Sequence, residues 1–393
     1  MAETRDEEIT TKDSLPQQEN DFAEDPSAKK ARRTVFLIGL LVLAGVLLYA
    51  VFRNNQVCTS YDTVTEFARS KACSEHYDVM NGDLIRYSSD GISLTDPSGS
   101  VVWNRTYGLS NPVTAVCRPY ITVADQGSSN VYVFNTYGQV GAFTASVPIQ
   151  TVTVTDDGIT GAILSDAANN YVNLYSIKGG LLVNIKASLE NTGYPVAMAL
   201  SPSSERMAVS YLAMADSKAV SRVVFYDFSG NEDGKVTGTE VLDGICPKIS
   251  FVSNSRAVVF CEYGARIYDV SGGISLVQTV DFKEEARSVF CGSSKFGFIF
   301  RNTDGQGKYR LEVFDTSGSS VQTVYFDLDY TNIYATDDEI LIYNSSAALV
   351  YRMGGKLKFS GEFEDQVYMM LPAKELGTYW IVKDDSVSVI QIE

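Results

Sequence analysis

The sequence predicts an all-β fold, a β-propeller of eight blades, preceded by one transmembrane helix. Two observations predict the propeller. A phrase of eight residues, "LEVFDTSG" at 311–318, recurs about every forty positions, and strand-like runs flank it on both sides. Four antiparallel strands in roughly forty residues make one propeller blade. A third observation, an uncharged apolar stretch at 34–52, predicts the helix.

The recurring phrase is predicted to be a strand that ends in a tight turn. Its turn glycines are Gly99, Gly138, Gly179, Gly230, Gly272, Gly318 and Gly355. An aromatic residue stands four positions before six of these seven glycines, where we expect it to fill the packing layer of the blade. Asp or Asn at the first turn position hydrogen-bonds the following backbone, and glycine at the fourth takes the positive φ that rejoins the partner strand. Valine at Gly272 or Gly318 is therefore predicted to destabilise the fold.

The number of blades follows from the number of phrases. A further strand-like run, "VSVIQIE" at 387–393, ends the chain before its turn would come, so eight phrases favour eight blades. The first and last blades are then incomplete, and they meet to close the ring. Seven blades is the alternative, if the opening strands at 84–96 only decorate the closure.

The apolar stretch at 34–52 runs nineteen residues without a charge, which is about the length of a bilayer-spanning helix. The long polar leader and the lack of a small-x-small cleavage site favour a signal anchor over a cleaved signal peptide. Four basic residues precede the stretch closely, whereas only Arg53 follows it directly. The positive-inside rule then predicts a single-pass protein of the cell membrane, with its N-terminus in the cytoplasm and its C-terminal domain extracytoplasmic.

The other segments are assigned by composition. Residues 1–33 are acidic and carry few large apolar side chains, which predicts a disordered cytoplasmic tail. Residues 53–80 are predicted to be a juxtamembrane linker, and its middle, "YDTVTEFARSKA", has weak helical character. The propeller ectodomain is predicted over 81–393.

Six cysteines are present, and an extracytoplasmic domain permits disulfides. Cys58 and Cys73 bracket the middle of the predicted linker and are the candidate pair. The other four lie in apolar strand-like runs, which favours buried thiols: Cys117, Cys246, Cys261 and Cys291. A reducing habitat would leave all six cysteines free.

The sequence offers little for catalysis or for nucleic-acid binding. The formal net charge of −16 repels phosphate backbones. His76 is the only histidine and precedes the predicted propeller, which leaves no Ser–His–Asp or Cys–His arrangement within it. No zinc-ligand spacing or phosphate-binding glycine loop occurs, and two tryptophans are too few to stack a quinone, so we expect no metal, cofactor or catalytic residue. Three acidic pairs fall in polar turns, where carboxylates are normally solvated: Asp156–Asp157, Asp337–Asp338 and Asp384–Asp385.

A partner-binding surface is predicted from loop length. The loops between the second and third strands of three blades carry extra polar residues: "SDAANN" at 165–170, "AMADSKAVS" at 213–221 and "RNTDGQGK" at 301–308. Long polar loops on one edge of a rigid scaffold are where binding usually occurs. The side chains predicted to bind a partner are Asp166, Asn170, Asp216, Lys218, Asp304 and Lys308. Neutral loop drift is the alternative.

Several motifs resemble known propellers. "GISLTDPSGSVVWN" resembles the repeat of quinoprotein-like propellers, in which a tryptophan, here Trp103, docks between blades. "ALSPSSERMAVSY" resembles the strand–turn–strand of WD40-like propellers. Together with the apolar stretch, "GYPVAMALSPSSERMAVSYL" and "YWIVKDDSVSVIQIE" are similar to an uncharacterised domain-of-unknown-function family of propeller-bearing membrane proteins in Gram-positive bacteria. This resemblance implies fold and topology but no activity.

Two classes of function remain. The first is a membrane-anchored binding or scaffolding module whose propeller holds a cell-envelope partner, either a protein or the cell wall, and a signal-relay receptor is compatible with it. The second is a hydrolase or lyase that acts on envelope glycan or peptide through carboxylates in the central funnel. The enzyme requires a cluster of acidic residues that converge on the ring axis, whereas the module does not.

Overall fold

The computed structural model describes residues 35–46, 56–69, 75–167, 169–230 and 234–393. The chain divides into two units, Met1–Gln56 and Val57–Glu393. In the first unit, residues 35–46 form a helix, and the rest of the predicted span lies outside the described residues. Within the described part of the chain, no helix combines the length and the apolar character that crossing a bilayer requires.

The second unit consists of eight four-stranded antiparallel sheets, the blades of a propeller. Its first strand, β1 (Tyr61–Ala68), belongs to the last blade. Blade 1 contains β2 (His76–Met80), β3 (Asp83–Tyr87), β4 (Gly91–Thr95) and β5 (Val101–Thr106). Blade 2 contains β6 (Pro112–Cys117), β7 (Tyr120–Asp125), β8 (Asn130–Asn135) and β9 (Gly138–Thr144). Blade 3 contains β10 (Ile149–Val154), β11 (Thr160–Ser165), β12 (Asn170–Tyr175) and β13 (Leu181–Ala187).

The remaining five blades follow in chain order. Blade 4 contains β14 (Tyr194–Leu200), β15 (Arg206–Ala215), β16 (Lys218–Asp227) and β17 (Lys235–Asp243). Blade 5 contains β18 (Lys248–Ser253), β19 (Arg256–Cys261), β20 (Gly264–Asp269) and β21 (Ser275–Asp281). Blade 6 contains β22 (Ser288–Cys291), β23 (Lys295–Arg301), β24 (Tyr309–Asp315) and β25 (Ser320–Phe326). Blade 7 contains β26 (Asn332–Ala335), β27 (Glu339–Tyr343), β28 (Ala347–Arg352) and β29 (Leu357–Glu362). Blade 8 contains β30 (Val367–Pro372), β31 (Thr378–Lys383), β32 (Ser386–Ile392) and β1.

The ring closes where β1 pairs antiparallel with β32, from Tyr61 opposite Ile392 to Ala68 opposite Ser386. The prediction of eight blades is confirmed. The linker predicted over 53–80 is wrong in the parts that the structure describes from residue 57 onward: Tyr61–Ala68, expected to be weakly helical, is an outer strand of blade 8, and His76–Met80 is the first strand of blade 1. Most side chains of β1 are exposed, as expected for the outermost strand of a blade, which pairs with another strand on one side only.

Eight hydrophobic clusters hold the described propeller together, and each joins two neighbouring blades. The phrase aromatics lie in these clusters, with Phe134, Tyr268 and Phe314 all buried. Trp103 docks between blades 1 and 2 as the resemblance implied: its ring stacks on that of Phe134 at 5.4 Å, and its Nε1 donates to the carbonyl of Thr136 at 3.2 Å.

The connections divide between two edges of the ring. In each antiparallel blade, the first-to-second and third-to-fourth connections share one edge, which we call the turn edge. The second-to-third turns and the blade-to-blade connections share the other, which we call the crossover edge. The chain enters the propeller at the turn edge, because Ser60 pairs with Glu393 at the end of β32.

The predicted turn chemistry is confirmed in four phrases whose first turn residue is aspartate. In each, the carboxylate accepts hydrogen bonds from the backbone N–H and the hydroxyl of the serine two positions later, and these bonds lower the pKa of the carboxyl. The four are Asp96, Asp227, Asp269 and Asp315.

The predicted role of Gly318 is confirmed, whereas that of Gly272 is wrong. Gly318 has a φ of 84°, and a Cβ there would meet Cγ of Gln278 at 2.5 Å. Gly272 does not take a positive φ, and a Cβ there would meet no atom within 4 Å. The positive φ of this turn belongs instead to its neighbour Gly273, whose φ is 134°.

Replacing Gly318 with Val is predicted to lower the free energy of unfolding by about 1–3 kcal/mol, because a β-branched residue is strained at positive φ. Gly272→Val is the matched control and should leave stability nearly unchanged. Denaturant unfolding of residues 57–393 measures both values, and equal losses in the two variants would contradict the turn assignment.

Candidate functional site

The six predicted partner-binding residues all lie at the crossover edge, but the structure does not gather them into one site. Asp166 and Asn170 belong to blade 3, Asp216 and Lys218 to blade 4, and Asp304 and Lys308 to blade 6. Blades 3 and 4 are neighbours, whereas blade 5 separates blade 4 from blade 6.

Several of these residues have local structural roles. Asn170 is buried, and its Oδ1 accepts a hydrogen bond from Oγ of Ser165 at 2.7 Å. Asp166 accepts from the backbone N–H of Asn169 at 2.7 Å, which shapes the turn. Lys308 pairs with Asp329 at 2.5 Å, an exposed ion pair of the kind that contributes little to stability.

The segment 213–221 differs from the predicted long loop. The strands β15 and β16 have ten residues each and meet in a two-residue turn at Asp216 and Ser217, whose φ values are 49° and 63°. Two consecutive positive φ values define the type I′ turn that suits a tight hairpin. Blade 4 therefore extends beyond the crossover edge as a hairpin, and Asp216 and Lys218 lie at its tip.

The connection from blade 3 to blade 4, residues 188–193, packs against this hairpin. The guanidinium of Arg222 in β16 donates to the carbonyl of Asn191. Gly193 approaches β15 so closely that a Cβ there would meet the carbonyl oxygen of Leu212 at 2.4 Å.

The connection from blade 4 to blade 5 packs against the hairpin's other side. Oγ of Ser221 donates to the carbonyl of Gly244 at 3.0 Å and accepts from the N–H of Cys246 at 2.8 Å. Cys246 in turn forms a disulfide with Cys261, at the end of β19. Glu262 donates its N–H to the carbonyl of Ile245 at 3.0 Å, so the turn of blade 5 is tied to the same connection.

These four segments form one continuous surface, which we call the hairpin surface: residues 188–193, 213–220, 243–247 and 262–263. It exposes four large apolar side chains: Leu189 at 67%, Met214 at 71%, Ile245 at 42% and Tyr263 at 50%. Four carboxylates and one lysine lie among them, from Glu190, Asp216, Asp243, Glu262 and Lys218. A cavity of about 370 Å³ adjoins the surface beside Ile245, Glu262 and Arg287.

The disulfide corrects the prediction that Cys246 and Cys261 are buried thiols. Cys58 has a free, half-buried thiol, and its proposed partner Cys73 lies outside the described residues. Cys117 and Cys291 have free thiols and are half-buried. Blade 5 folds Cys261 back against the connection that carries Cys246, which brings their Cα atoms to 4.0 Å.

Carboxylates that converge on the ring axis, as the hydrolase alternative requires, are expected on the strands that line the central funnel. The first strand of each blade is innermost, and across the eight of them Asp78 is the only Asp or Glu. Its Oδ1 accepts from Oη of Tyr334 at 3.0 Å, and burial raises the pKa of the Asp78 carboxyl. Among the described residues, no group of three or more His, Cys, Asp or Glu side chains is placed to hold a metal ion.

Two of the predicted acidic pairs join neighbouring blades at the turn edge. Oδ1 of Asp157 accepts from Oγ of Ser204 in the next blade at 2.7 Å. Oδ1 of Asp337 accepts from the N–H of Ser293 at 2.7 Å. Asp384 and Asp385 form the second-to-third turn of blade 8, and the N–H of Arg69 donates to the carbonyl of Asp385 at 2.8 Å. These contacts support structural roles for the three pairs.

Two further polar clusters lie at blade junctions. Between blades 7 and 8, Lys358 pairs with Glu339, and Oη of Tyr379 donates to Glu339 at 2.6 Å; burial and this carboxylate raise the pKa of Tyr379. Beside a groove of about 570 Å³ between blades 8 and 1, Glu75 pairs with Arg69 at 3.1 Å and with Arg86 at 3.5 Å. The first cluster pairs one lysine with one carboxylate, whereas in the second a single carboxylate pairs with two guanidinium groups.

The fold and the site define the class of protein: an eight-bladed β-propeller with a raised, disulfide-braced surface at one edge. Residues 54–392 match the sequence profile of a family of unknown function, DUF5711, and the chain belongs to that family. A search of curated protein sequences found no match.

Solved structures share the fold at low sequence identity. BamB from Moraxella catarrhalis is similar with a TM-score of 0.53 and 10% identity, over 84% of this chain and 100% of that one. A structure described as the eukaryotic initiation factor gives a TM-score of 0.53 and 14% identity, over 86% of this chain and 89% of that one. These similarities establish the propeller fold alone.

The disulfide is predicted to stabilise the blade 4–blade 5 junction. Its closed loop spans 15 residues, and a loop of that length is worth up to about 3 kcal/mol. Replacing both Cys246 and Cys261 with Ala should therefore lower the free energy of unfolding by up to about 3 kcal/mol. Cys117→Ala is the control for losing a half-buried sulfur without a bridge.

Denaturant unfolding measures the loss, and alkylation of the unfolded, unreduced protein counts the free thiols. Alkylation of Cys246 and Cys261 without reductant would contradict the bridge.

Proposed function

We propose that this protein is a membrane-anchored, extracytoplasmic propeller that binds a cell-envelope protein at the hairpin surface. The observation that carries the proposal is the hairpin surface itself, where four exposed apolar side chains lie on segments fixed by hydrogen bonds and a disulfide. Monomeric soluble domains rarely hold such side chains together on a rigid surface unless a partner covers them.

Two observations support an extracytoplasmic location for the propeller. Disulfides persist in oxidising compartments and are rare in the cytosol, so the Cys246–Cys261 bridge favours the outside. The sequence places four basic residues closely before the apolar stretch at 34–52 and Arg53 directly after it, which favours the same orientation.

The chemistry of the hairpin surface indicates the kind of partner. Met214 is flexible and polarisable and adapts to varied apolar partners, whereas Tyr263 offers a rigid ring with a polar tip. The carboxylates among them favour Lys or Arg at the rim of the partner's interface. We therefore infer a protein partner that presents apolar anchors within a basic surface.

The hydrolase alternative has less support. Acid–base cleavage of a glycosidic bond uses a pair of carboxyl groups that flank the substrate. The inner strands provide Asp78 alone, and its carboxylate is already hydrogen-bonded to Tyr334. The binding module requires no such pair.

The test uses the full chain, tagged at its N-terminus, in intact cells stripped of their wall and treated with a crosslinker that does not cross membranes. The double variant Met214→Asp, Tyr263→Asp should lose the crosslinked partner, because each buried anchor typically contributes on the order of 2 kcal/mol to binding. The control is Val321→Asp, which changes a valine of 41% exposure in the outer strand of blade 6, away from the hairpin surface.

The wild-type chain and the control should yield the same adducts, and both variants should keep the wild-type melting temperature. Identical adducts from the double variant would exclude the hairpin surface as the binding site. Adducts that form only after the cells are lysed would place the propeller in the cytoplasm.

A further inference from the structure

The place where the chain joins the propeller is fixed by backbone hydrogen bonds. Cys58 donates its N–H to the carbonyl of Lys358 at 2.9 Å and accepts from the N–H of Ser360 at 3.0 Å. Ser60 accepts from the N–H of Glu393 at 2.9 Å. These contacts hold residues 58–60 at the turn edge, between blades 7 and 8.

The length of the chain between the predicted membrane span and Val57 limits how far the turn edge can lie from that span. The predicted span ends at Phe52, and four residues, 53–56, separate it from Val57. An extended chain advances at most about 3.6 Å per residue, so Val57 stays within roughly 20 Å of Phe52. A strand of about six residues is roughly 20 Å long. The crossover edge therefore lies roughly 20 Å farther from Val57 than the turn edge does.

An exposed apolar residue lies beside this junction. The connection 373–377 carries Leu376, which is 87% exposed. The connection packs against the end of β32, because the carbonyl of Gly377 accepts from the N–H of Ile392 at 3.1 Å and from Nε2 of Gln391 at 3.2 Å. Its other side meets blade 1, where a Cβ at Gly82 would come within 2.4 Å of Cα of Lys374.

A second exposed residue lies on the same edge in blade 2. Tyr137 is 90% exposed and occupies the turn between β8 and β9. Its N–H donates to Oδ1 of Asn135 at 2.9 Å, and the docked Trp103 fixes the preceding residue, Thr136. Tyrosine is enriched at membrane interfaces, where its ring meets the headgroups.

We propose that the turn edge of blades 8, 1 and 2 rests on the bilayer, with Leu376 and Tyr137 in contact with lipid. The inference depends on the proposed membrane anchor and adds to it an orientation: the propeller faces lipid with its turn edge and presents the hairpin surface away from the membrane. The short tether is what selects a lipid surface over another protein as the occupant of this edge.

The test measures tryptophan emission from the full chain in vesicles of phosphatidylcholine and phosphatidylglycerol, with and without bromine on the acyl chains. Leu376→Trp and Tyr137→Trp report on the turn edge, and Tyr263→Trp on the hairpin surface is the control. Both native tryptophans, Trp103 and Trp380, are buried, so the wild-type chain supplies the background.

The fluorescence of a tryptophan introduced at position 376 or 137 should be quenched in brominated vesicles, whereas that of a tryptophan at position 263 should not be quenched. Flotation of the vesicles after an alkaline wash reports on the anchor separately. A chain that floats without quenching at 376 and 137 would overturn the orientation and leave the anchor intact. Quenching at 263 would invert the orientation, and a chain that fails to float would overturn the anchor and this inference with it.

Discussion

Closure of the ring by β1 on β32 is the interaction on which the rest of the structure depends. Each blade is a sheet with two faces, and each described hydrophobic cluster forms only when two blades meet. An open ring would expose one face of blade 1 and one of blade 8. The pairing of Tyr61 with Ile392 joins residues from the two ends of the propeller, so the last blade forms only when both of these segments have been made.

Closure of the ring also explains why the candidate binding surfaces lie at the two edges of the propeller. The blade faces are occupied by neighbouring blades, and the inner strands are short and carry little charge, which leaves the turns and connections to differ from blade to blade. On the turn edge, contacts such as Asp157 with Ser204 tie the turns of neighbouring blades to each other. On the crossover edge, blade 4 extends its middle strands, and its neighbours brace them through Ser221 and the disulfide. A rigid surface of this kind loses little conformational entropy when a partner binds.

The parts of the fold that could be predicted are those whose cause is local in sequence. The turn at Asp315, Ser317 and Gly318 contains its own hydrogen bonds, and the aromatic before it needs only the neighbouring blade to be buried. The strand β1 was missed because its partner lies more than three hundred residues away and its outward side chains carry no apolar alternation.

The candidate site was harder to predict for similar reasons. The turn at Asp216 and Ser217 takes positive φ values without a glycine to mark it. The spacing of 15 residues is shared by the Cys58–Cys73 and Cys246–Cys261 pairs, so spacing alone did not identify the bridge. The sequence predicts Met214 to lie in a polar loop rather than at the end of a strand, and only the assembled edge shows that Met214 and Tyr263 are exposed on the same surface.

In the proposed arrangement the two edges of one ring meet different surroundings, a protein at the hairpin surface and lipid at the turn edge. The most direct measurement places a photoreactive residue at position 263 or 376 of the full chain in living cells and identifies the adducts by mass spectrometry. Protein adducts are expected from position 263 and lipid adducts from position 376. Lipid adducts from 263, or the same protein adducts from both positions, would contradict it.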